Sequence, residues 1–390
     1  MRILLVTDNF PNPAQPAIGT FNLQMARALA LTNDVAVIAY VPWLQEWRMR
    51  RAGKRLERRR AEGRIEIHHP RYIYPPGVLR TLYPWFLWRS VAATAREVLQ
   101  RFEPDVILSY WLHPDGAVAL RLARMAGVPA VVMSGGSDLL LLTKRPLRRR
   151  AITRVLEKAD AVVCVSEHLA RAARELDRTG TPVHVVRRGV NLDRFCAGDR
   201  ASAWARLGWD PVRRALLWVG RMSPEKGLDV LIDACARLPR SLDFSLYLAG
   251  DGPLRGELAE HTHRAGLAQR IVFAGTVPHG ALPDWFRAAD VTVLPSRSEG
   301  VPNVLLESIA CGTPFVASDV GGVAEIADPR ADRLTPAGDA GALAAAIVEQ
   351  LSRPSAGPRR FLPESWERSA AALEEVLRST IAFQGDRAGH

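Results

Sequence analysis

The segment from Trp218 to Gly227 places two cationic side chains and two glycines at the end of an apolar run. Gly220 and Arg221 close the run, and Lys226 follows after four intervening residues. An arginine fork and a lysine point charge at one strand end can hold a diphosphate, and glycine lets the backbone approach a ligand. The alternative is two solvated side chains on an ordinary loop. Since the chain has only four lysines among its 52 basic residues, Arg221 alone is weak evidence for a site.

Two glutamates bracket the start of a helix that the pattern predicts from about Asn303 to Cys311. The amino end of a helix offers unpaired amides and a positive dipole end, which suit a phosphate. Glu299 precedes this helix and Glu307 lies one turn inside it. The two carboxylates could accept hydrogen bonds from the hydroxyls of a sugar and of a ribose. The alternative is a helix-capping Glu299 and a surface Glu307.

These pieces, together with Gly250-Asp-Gly252 at another strand end, resemble the nucleotide-sugar half of the retaining glycosyltransferase family 4 in order and spacing. That family has the GT-B fold. The runs at residues 159–168 and 188–195 are similar to family positions around the domain junction. The resemblance therefore covers nearly the whole chain, although it does not specify donor or acceptor.

The resemblance implies a catalytic set of four residues. Arg221 and Lys226 would hold the donor diphosphate, and Glu299 would bind hydroxyls of the transferred sugar. His113, in the segment 111–116, would face the reacting sugar, although a lone histidine is more often structural.

Further residues would bind the donor through backbone atoms or a carboxylate. Backbone amides of Gly300, Val301 and Asn303 would reach the sugar or the phosphate, and the backbone near Val277 would contact the base. Glu307 would bind the ribose, and Gly19 and Gly220 would let the phosphates approach. These donor-binding residues are Gly19, Gly220, Val277, Gly300, Val301, Asn303 and Glu307. Asp138 would bind the acceptor or order its own loop, and Pro302 departs from the commoner family sequence and has no amide hydrogen.

The implied reaction retains the anomeric configuration by a front-face displacement. The chain contains no Asp-x-Asp sequence, so we expect no metal site and no cofactor beyond a UDP- or GDP-linked sugar as co-substrate. The expected product is a hexose-type sugar on a hydroxyl of a glycan or polyprenyl-linked acceptor, in the synthesis of a cell-surface polysaccharide or glycolipid.

The elements that must position these residues alternate between short β-branched strands and helices, which predicts parallel sheets covered on both sides. For the 390 residues, the alternation predicts two α/β domains, and the resemblance implies the GT-B type, with two Rossmann-like parallel-sheet domains facing across a cleft. The predicted domains are an acceptor-binding domain at residues 1–190 and a nucleotide-sugar-binding domain at 191–365. A helix at 366–383 would cross back to the first domain, and 384–390 would be a disordered tail. Residues 48–62 are predicted as a charged helix or loop.

The charge is concentrated in the first half, with a net +14 through Phe195 and −3 thereafter. One basic cluster lies within residues 48–64 and another within 144–154, and the stretch between them is rich in aromatic residues. Basic side chains beside exposed aromatics suit an anionic membrane surface, so we expect the first domain to bind the inner leaflet. The alternative is a solvated arginine-rich face. Nucleic acid is a weaker prediction because no recognised binding motif accompanies the charge.

No apolar run is long enough to span a membrane and no signal peptide is evident, so the sequence predicts a cytoplasmic protein, peripheral on the membrane at most. The four cysteines lie far apart, as expected for free thiols in a reducing compartment. Two other functions remain open: a nucleotide-sugar epimerase of the same architecture, and a non-catalytic nucleotide-sugar-binding or scaffold protein. A dehydrogenase is poorly supported because no Gly-x-Gly-x-x-Gly follows the first strand.

Overall fold

A computed structural model describes residues 1–13, 15, 18–353 and 359–388, with backbone alone for 386–388. The chain divides into two compact units. The first unit joins Met1–Gly189 to Trp366–His390, and the second is Val190–Ser365. The predicted boundary between residues 190 and 191 lies one residue from this division.

An eight-stranded sheet forms the centre of the first unit. Its strands are β1 Arg2–Thr7, β2 Asp34–Ala39, β3 Arg59–Glu62, β4 Ile65–His68, β5 Val106–Tyr110, β6 Ala130–Ser134, β7 Ala161–Cys164 and β8 Val183–Val185. The spatial order is β8-β7-β6-β5-β1-β2-β4-β3, and every pair is parallel except β3 with β4. The order reverses between β1 and β5, so the loops after these two strands meet at the carboxyl edge of the sheet.

Helices cover both faces of this sheet, since alternate residues of β1 enter two different cores. Ile3 and Leu5 pack with one core, and Leu4 and Val6 with the other. The helices of the first unit are α1 Thr20–Leu29, α2 Trp43–Arg51, α3 Tyr83–Phe102, α4 Ala117–Ala126, α5 Ser137–Leu140, α6 Pro146–Leu156 and α7 Glu167–Leu176. A π-helical turn spans Leu112–Gly116, and 3₁₀ turns span Arg80–Leu82 and Leu142–Lys144.

The second unit has a six-stranded, wholly parallel sheet. Its strands are β9 Arg214–Val219, β10 Phe244–Ala249, β11 Ile271–Gly275, β12 Val291–Leu294, β13 Phe315–Ser318 and β14 Arg333–Thr335. The spatial order is β11-β10-β9-β12-β13-β14. The order therefore reverses between β9 and β12, which brings the loops after these strands together where open parallel sheets bind ligands.

The remaining elements complete the second unit and the end of the chain. The helices are α8 Arg200–Leu207, α9 Leu228–Ala236, α10 Arg255–Arg264, α11 Leu282–Ala288, α12 Asn303–Ala310, α13 Ala340–Ser352 and α14 Trp366–Ala388. The 3₁₀ turns are Pro224–Lys226, His279–Ala281 and Val323–Glu325. Two-residue strands lie at Val41–Pro42, Arg71–Tyr72, Gly189–Val190 and Glu364–Ser365.

The last helix packs in the first unit, where Trp366 and Leu373 join the core that contains α1. Glu374 of this helix accepts hydrogen bonds from Thr32 Oγ1 at 2.9 Å and Asn33 Nδ2 at 3.1 Å. The helix continues to Ala388, five residues past its predicted end at 383, so the predicted tail is helical as far as the structure describes it. No proline interrupts residues 384–388, so the helical hydrogen bonding continues there.

The segment 48–62 differs from its prediction as a charged helix or loop, because its last four residues form strand β3. This strand is the antiparallel edge of the first sheet, with Arg59 opposite His68 and Glu62 opposite Ile65. Charged side chains are tolerated on an edge strand because one side of it faces solvent. The alternation of apolar residues that marks a strand is therefore missing from this segment.

Candidate active site

The carboxyl edge of the second sheet is closely packed through glycines. Gly220 follows β9, and Gly250 follows β10. A Cβ on Gly250 would lie 1.8 Å from the carbonyl oxygen of Gly220, and a Cβ on Gly252 would lie 2.4 Å from that of Met222. These two strand-end loops therefore touch backbone to backbone, which leaves Arg221 exposed between them on the surface of the second unit. No hydrogen bond or ion pair of the Arg221 side chain occurs among the described residues, so its guanidinium can bind an anion.

The loops after β9 and β12 are fastened to each other at several points. A Cβ on Gly227 would lie 2.1 Å from the carbonyl oxygen of Pro295, and the Arg297 amide donates to Glu225 O at 2.8 Å. The Arg297 guanidinium also pairs with Asp229 at 2.5 Å, and it holds the pKa of that carboxyl below its usual range. The ion pair is half-exposed, so it contributes little energy, and the backbone contacts hold the two loops together.

Lys226 and Glu299, from these two loops, form a second ion pair at this edge, and it is less exposed than the pair of Arg297 with Asp229. Lys226 Nζ lies 2.6 Å from Glu299 Oε1, and Ser296 Oγ donates to the same oxygen at 2.7 Å. Both charged side chains are mostly buried, at 25% and 10% exposure. Glu299 Oε2 takes no hydrogen bond from the described residues. The pair thus offers one cationic group and one free carboxylate oxygen on neighbouring loops.

The start of α12 lies beside this pair. Pro302 precedes the helix, whose first turn has no side-chain cap. The preceding loop is held by the glycines after β13: the Gly322 amide donates to Gly300 O at 2.7 Å, and a Cβ on Gly321 would lie 1.8 Å from Glu299 O. Gly300 and Val301 are buried and Asn303 is half-buried, so this loop presents mainly backbone. Its place at a helix amino end suits an anionic or hydroxyl-bearing ligand.

Glu307, the carboxylate on α12, has a partner that the sequence did not predict. Glu307 is buried, and its Oε1 lies 2.7 Å from Nε2 of His279. His279 begins the 3₁₀ turn after β11, two residues beyond the half-buried Val277, and its ring lies 5.0 Å from that of Phe195. The alternative that Glu307 is a surface residue is therefore wrong. The sequence signal that could have indicated His279 is its position shortly after the apolar run at residues 271–274.

In the first unit, Gly19 caps α1 with a left-handed φ of 64°. A Cβ there would lie 1.9 Å from the carbonyl oxygen of Asn9. Asn22 Nδ2 also donates to that carbonyl, at 2.7 Å. The glycine is therefore required by the turn of the loop itself. Whether it also admits a ligand stays a prediction.

Asp138 is completely buried at the start of α5. Its Oδ1 accepts hydrogen bonds from Ser134 Oγ at 2.8 Å and from two amides, and its Oδ2 accepts from the Leu112 amide at 3.2 Å. The carboxylate thus joins the loops after β5 and β6. Of its two predicted roles, the geometry supports ordering the loop, and an acceptor contact stays a prediction.

His113, in the loop after β5, is 3% exposed, and its Nε2 has no hydrogen-bond partner among the described residues. Burial, and secondarily the charge of Arg148, lower the pKa of this imidazole to about 4. The ring is therefore neutral at pH 7 and could donate or accept one proton in a hydrogen bond. A contact with a sugar stays a prediction.

We expect His113 to make the folded chain less stable as the pH falls. The folded pKa is about 4 and the unfolded value is about 6.5, so the unfolded chain binds more protons between these values. The contribution is fully present above pH 6.5 and is lost progressively down to pH 4, amounting to about 3 kcal/mol. Urea unfolding of wild type and His113→Asn from pH 7.5 to 4 measures it. Parallel stability curves for the two proteins would contradict the assignment.

The sequence also missed Asp115, which lies two residues beyond His113. Its side chain is completely buried, Tyr40 donates a hydrogen bond to it, and the Asp8 amide donates at 3.4 Å. Burial raises the pKa of Asp115 well above its usual value. The aspartate therefore links the carboxyl ends of β1, β2 and β5 beneath the surface. The motif 111–116 had drawn attention only to its histidine.

Within the described residues, no group of three or more His, Cys, Asp or Glu side chains is arranged to hold a metal ion. All four cysteines are free, and Cys196 alone of them is exposed.

Two family models match the chain. Residues 18–194 match the model described as Glycosyltransferase Family 4, and residues 213–353 match the one described as Glycosyl transferases group 1. Together they span most of both units, including the loops that carry Arg221, Lys226, Glu299 and Glu307.

Named relatives are similar over most of their length. The chain is 33% identical to the lipopolysaccharide core biosynthesis mannosyltransferase LpsB of Rhizobium meliloti, over 70% of this chain and 83% of that protein. It is 29% identical to TuaC of Bacillus subtilis, provisionally named a teichuronic acid biosynthesis glycosyltransferase, over 91% of each chain. Among solved structures, Anabaena HepE in complex with UDP-glucose superposes with a TM-score of 0.69 at 19% identity, covering 100% of this chain and 99% of that one.

Proposed function

The chain belongs to glycosyltransferase family 4 and has the GT-B fold, and from this premise we propose that it transfers a hexose-type sugar, with retention, from a nucleotide diphosphate to a hydroxyl of a cell-surface glycan or a lipid-linked acceptor. The enzyme class, a glycosyltransferase, follows from the family. The relatives named for lipopolysaccharide core and teichuronic acid support a cell-surface product. No finding favours a nucleotide-sugar epimerase.

The observation that carries the proposal is the pairing of Lys226 with Glu299 where the strand order of the second sheet reverses. Lys226 and the exposed Arg221 would hold the donor diphosphate, since both cations lie in the loop that follows β9. Glu299 would accept hydrogen bonds from sugar hydroxyls through its unoccupied Oε2. The uncapped start of α12 would supply backbone contacts to the same donor.

Glu307 would bind the ribose through its second carboxylate oxygen, because Oε1 is already held by His279. The imidazole fixes the direction of the carboxylate, so we add His279 to the proposed donor-binding residues as a positioning residue. Val277 lies two residues away in the same loop, which is consistent with its proposed backbone contact to the base.

The proposed chemistry depends on charge at the leaving group. As the bond from the anomeric carbon to the diphosphate breaks, negative charge grows on the departing oxygen, and the cations stabilise it more in the transition state than in the ground state. The departing diphosphate would take the proton of the acceptor hydroxyl on the same face of the sugar.

We propose that Arg221 and Lys226 neutralise the diphosphate without a divalent metal. Full turnover after treatment with EDTA would support this, and restoration of lost turnover by a metal would contradict it.

We expect one nucleoside diphosphate to stabilise the protein against heat, and Glu307→Gln to weaken that effect. A ligand at 100 times its dissociation constant adds about 2.7 kcal/mol to the free energy of unfolding. Thermal shift with UDP, GDP and ADP, at equal concentrations, identifies the base. Glu260→Gln, on the exposed face of α10, is the matched control and should respond like wild type. If none of the nucleotides stabilises wild type, the proposed donor site is wrong.

The basic clusters of the first unit differ in their ion pairs, which bears on the proposed membrane contact. In the first cluster, Arg50 and Arg58 pair with Glu46, and Arg59 pairs with Glu66. The Glu46 side chain is buried among these cations, and hydrogen bonds, foremost from Arg71, lower its pKa to about 2. Five of the nine cations within residues 48–64 therefore have a carboxylate partner within the fold, which offsets part of the charge of this cluster.

The second basic cluster makes no ion pair with described residues. Its members are Lys144, Arg145, Arg148, Arg149, Arg150 and Arg154. Six apolar side chains near the amino ends of α3 and α6 are exposed by 48–69%, a set we call the apolar tip: Ile73, Val78, Leu79, Leu82, Trp85 and Leu147. Burial and the nearby charges of Arg80 and Arg145 lower the pKa of Arg148, which places this cluster beside the tip. We propose that this surface binds anionic membranes.

We expect Leu82→Ser/Trp85→Ser to lower binding to phosphatidylglycerol vesicles by at least about tenfold, because each exposed side chain would bury apolar area in the bilayer interface. Wild-type binding should weaken as salt rises and should be weak on phosphatidylcholine vesicles. Co-flotation with each vesicle type measures both effects. Leu31→Ser/Val212→Ser removes two apolar side chains outside the tip that are more exposed, at 64% and 84%, and serves as the control. Salt-independent flotation, or equal loss of binding in the control variant, would refute the proposal.

Within the described residues, no helix is long and apolar enough to cross a membrane.

A further inference from the structure

A groove of about 540 Å³ lies in the first unit between α3, α4 and α6. Trp88, Leu120 and Val155 contribute apolar surface to it. Its cations, which we call the groove cations, are Arg96, Arg121, Arg124, Arg154 and Lys158. Among the described residues, no carboxylate lines the groove. It therefore combines a hydrocarbon-like lining with five positive charges.

The groove cations lack the partners that many arginines of this chain have. None of the five makes an ion pair with a described residue, whereas the Glu46, Glu66 and Asp290 carboxylates each pair with more than one cation. The guanidinium carbons of Arg121 and Arg96 lie 4.1 and 5.7 Å from the centre of the Trp88 ring. Five like charges around one groove repel one another, and an anion bound among them would relieve that repulsion.

A polar atom at the groove also lacks a partner. His113 lines the groove, and its buried Nε2 has no hydrogen bond to a described residue. A buried polar atom without a partner costs free energy unless a ligand or water satisfies it. The groove thus presents an unpartnered polar atom, unpaired cations and an apolar lining in one place.

The groove is continuous with the apolar tip. Thr81 and Pro84 line the groove, and Leu82 and Trp85 of the tip directly follow them in the chain. A lipid in a bilayer that contacts the tip would therefore have its phosphate close to the opening of the groove.

We propose that this groove binds the phosphate and proximal chain of one anionic membrane phospholipid. The groove cations would hold the phosphate by charge-assisted hydrogen bonds, and the chain would lie along the apolar lining. Nucleotides fit the groove less well, because the Arg121 guanidinium already covers the Trp88 ring on which a base could stack. The inference rests on the membrane contact proposed above and adds a specific lipid site to it.

A lipid that stays monomeric in water separates the groove from general membrane binding. Dihexanoyl phosphatidylglycerol, below its critical micelle concentration, is titrated into the full chain by calorimetry. We expect one site per chain, and binding at least about tenfold weaker for Arg121→Gln/Arg154→Gln, since two charge-assisted hydrogen bonds are lost. Arg171→Gln/Arg178→Gln removes two other exposed arginines of the first unit and should bind like wild type.

The other variants and lipids in this binding experiment each test one part of the proposal. The Leu82→Ser/Trp85→Ser variant should keep monomer binding although it loses vesicle binding, which distinguishes failure of the tip from failure of the groove. Dihexanoyl phosphatidylcholine should bind much more weakly. Equal binding of phosphatidylcholine, or of glycerol 3-phosphate without its chains, would overturn the lipid site, as would wild-type affinity in the groove variant. A normal nucleotide thermal shift in each variant shows that the fold and the donor site are intact.

Discussion

Replacing Lys226 with Met is expected to lower kcat by about two to three orders of magnitude, the range typical for losing one group that stabilises transition-state charge. The cation lies 2.6 Å from Glu299, on the loop that the proposal places against the donor diphosphate. The free energy of unfolding should change much less than the activation free energy of the reaction. The methylene stem is kept, and Ser296 still donates to Glu299. Steady-state kinetics with the identified donor, beside urea unfolding, separates the two effects.

Two further variants make this expectation specific. Lys226→Arg keeps a charge but not its geometry and should recover part of the activity. Arg213→Gln removes a surface cation that pairs with Asp243 in the same unit, and it should leave kcat unchanged. A Lys226→Met enzyme with wild-type kcat and a raised KM would show that the lysine only binds the donor, which would contradict a role at the leaving group.

Gly227→Ala is expected to destabilise the protein by about 3 kcal/mol or more and to reduce donor binding with it. The residue has a left-handed φ of 64°, and an added Cβ would lie 2.1 Å from the carbonyl oxygen of Pro295. Neither backbone can yield without separating the loops after β9 and β12, which carry Lys226 and Glu299. Urea unfolding and the nucleotide thermal shift measure the two losses.

The same unit supplies the matched control. Gly266 has a similar φ of 70°, but no atom of the described part of the chain lies within 4 Å of its added Cβ. Gly266→Ala therefore tests backbone strain alone and should cost only about 1–2 kcal/mol, with donor binding unchanged. Equal losses in the two variants would show that φ strain, and not the contact between the loops, accounts for the effect of Gly227→Ala.

The strands and helices around the site were predictable because each carries its own local signal. The apolar run at Ala130–Ser134 is a strand, and the stretch with helical periodicity at Ala117–Ala126 is a helix. The predicted helix from Asn303 was confirmed to within one residue at its carboxyl end. Charged edge strand β3 was missed because its residues carry no apolar alternation.

The partners of the site residues were not predictable in the same way. His279 and Glu307 are 28 positions apart, and Tyr40 and Asp115 are 75 apart. Each pair meets only because the segments that follow different strands come together at one edge of a sheet. The cationic residues of the first unit looked alike in the sequence. Buried Glu46 pairs with three of them, whereas no carboxylate among the described residues pairs with the groove cations.

The sequence by itself determined the family, the α/β alternation and the residue types of the donor site, because these depend on short motifs and local periodicity. The tertiary structure alone decided which oxygen of Glu299 is occupied, that Gly19 and Gly227 are required by backbone contacts, and which cations remain unpaired. Those properties depend on distances between residues far apart in the chain, and such distances are fixed only when the strands take their order in the sheet.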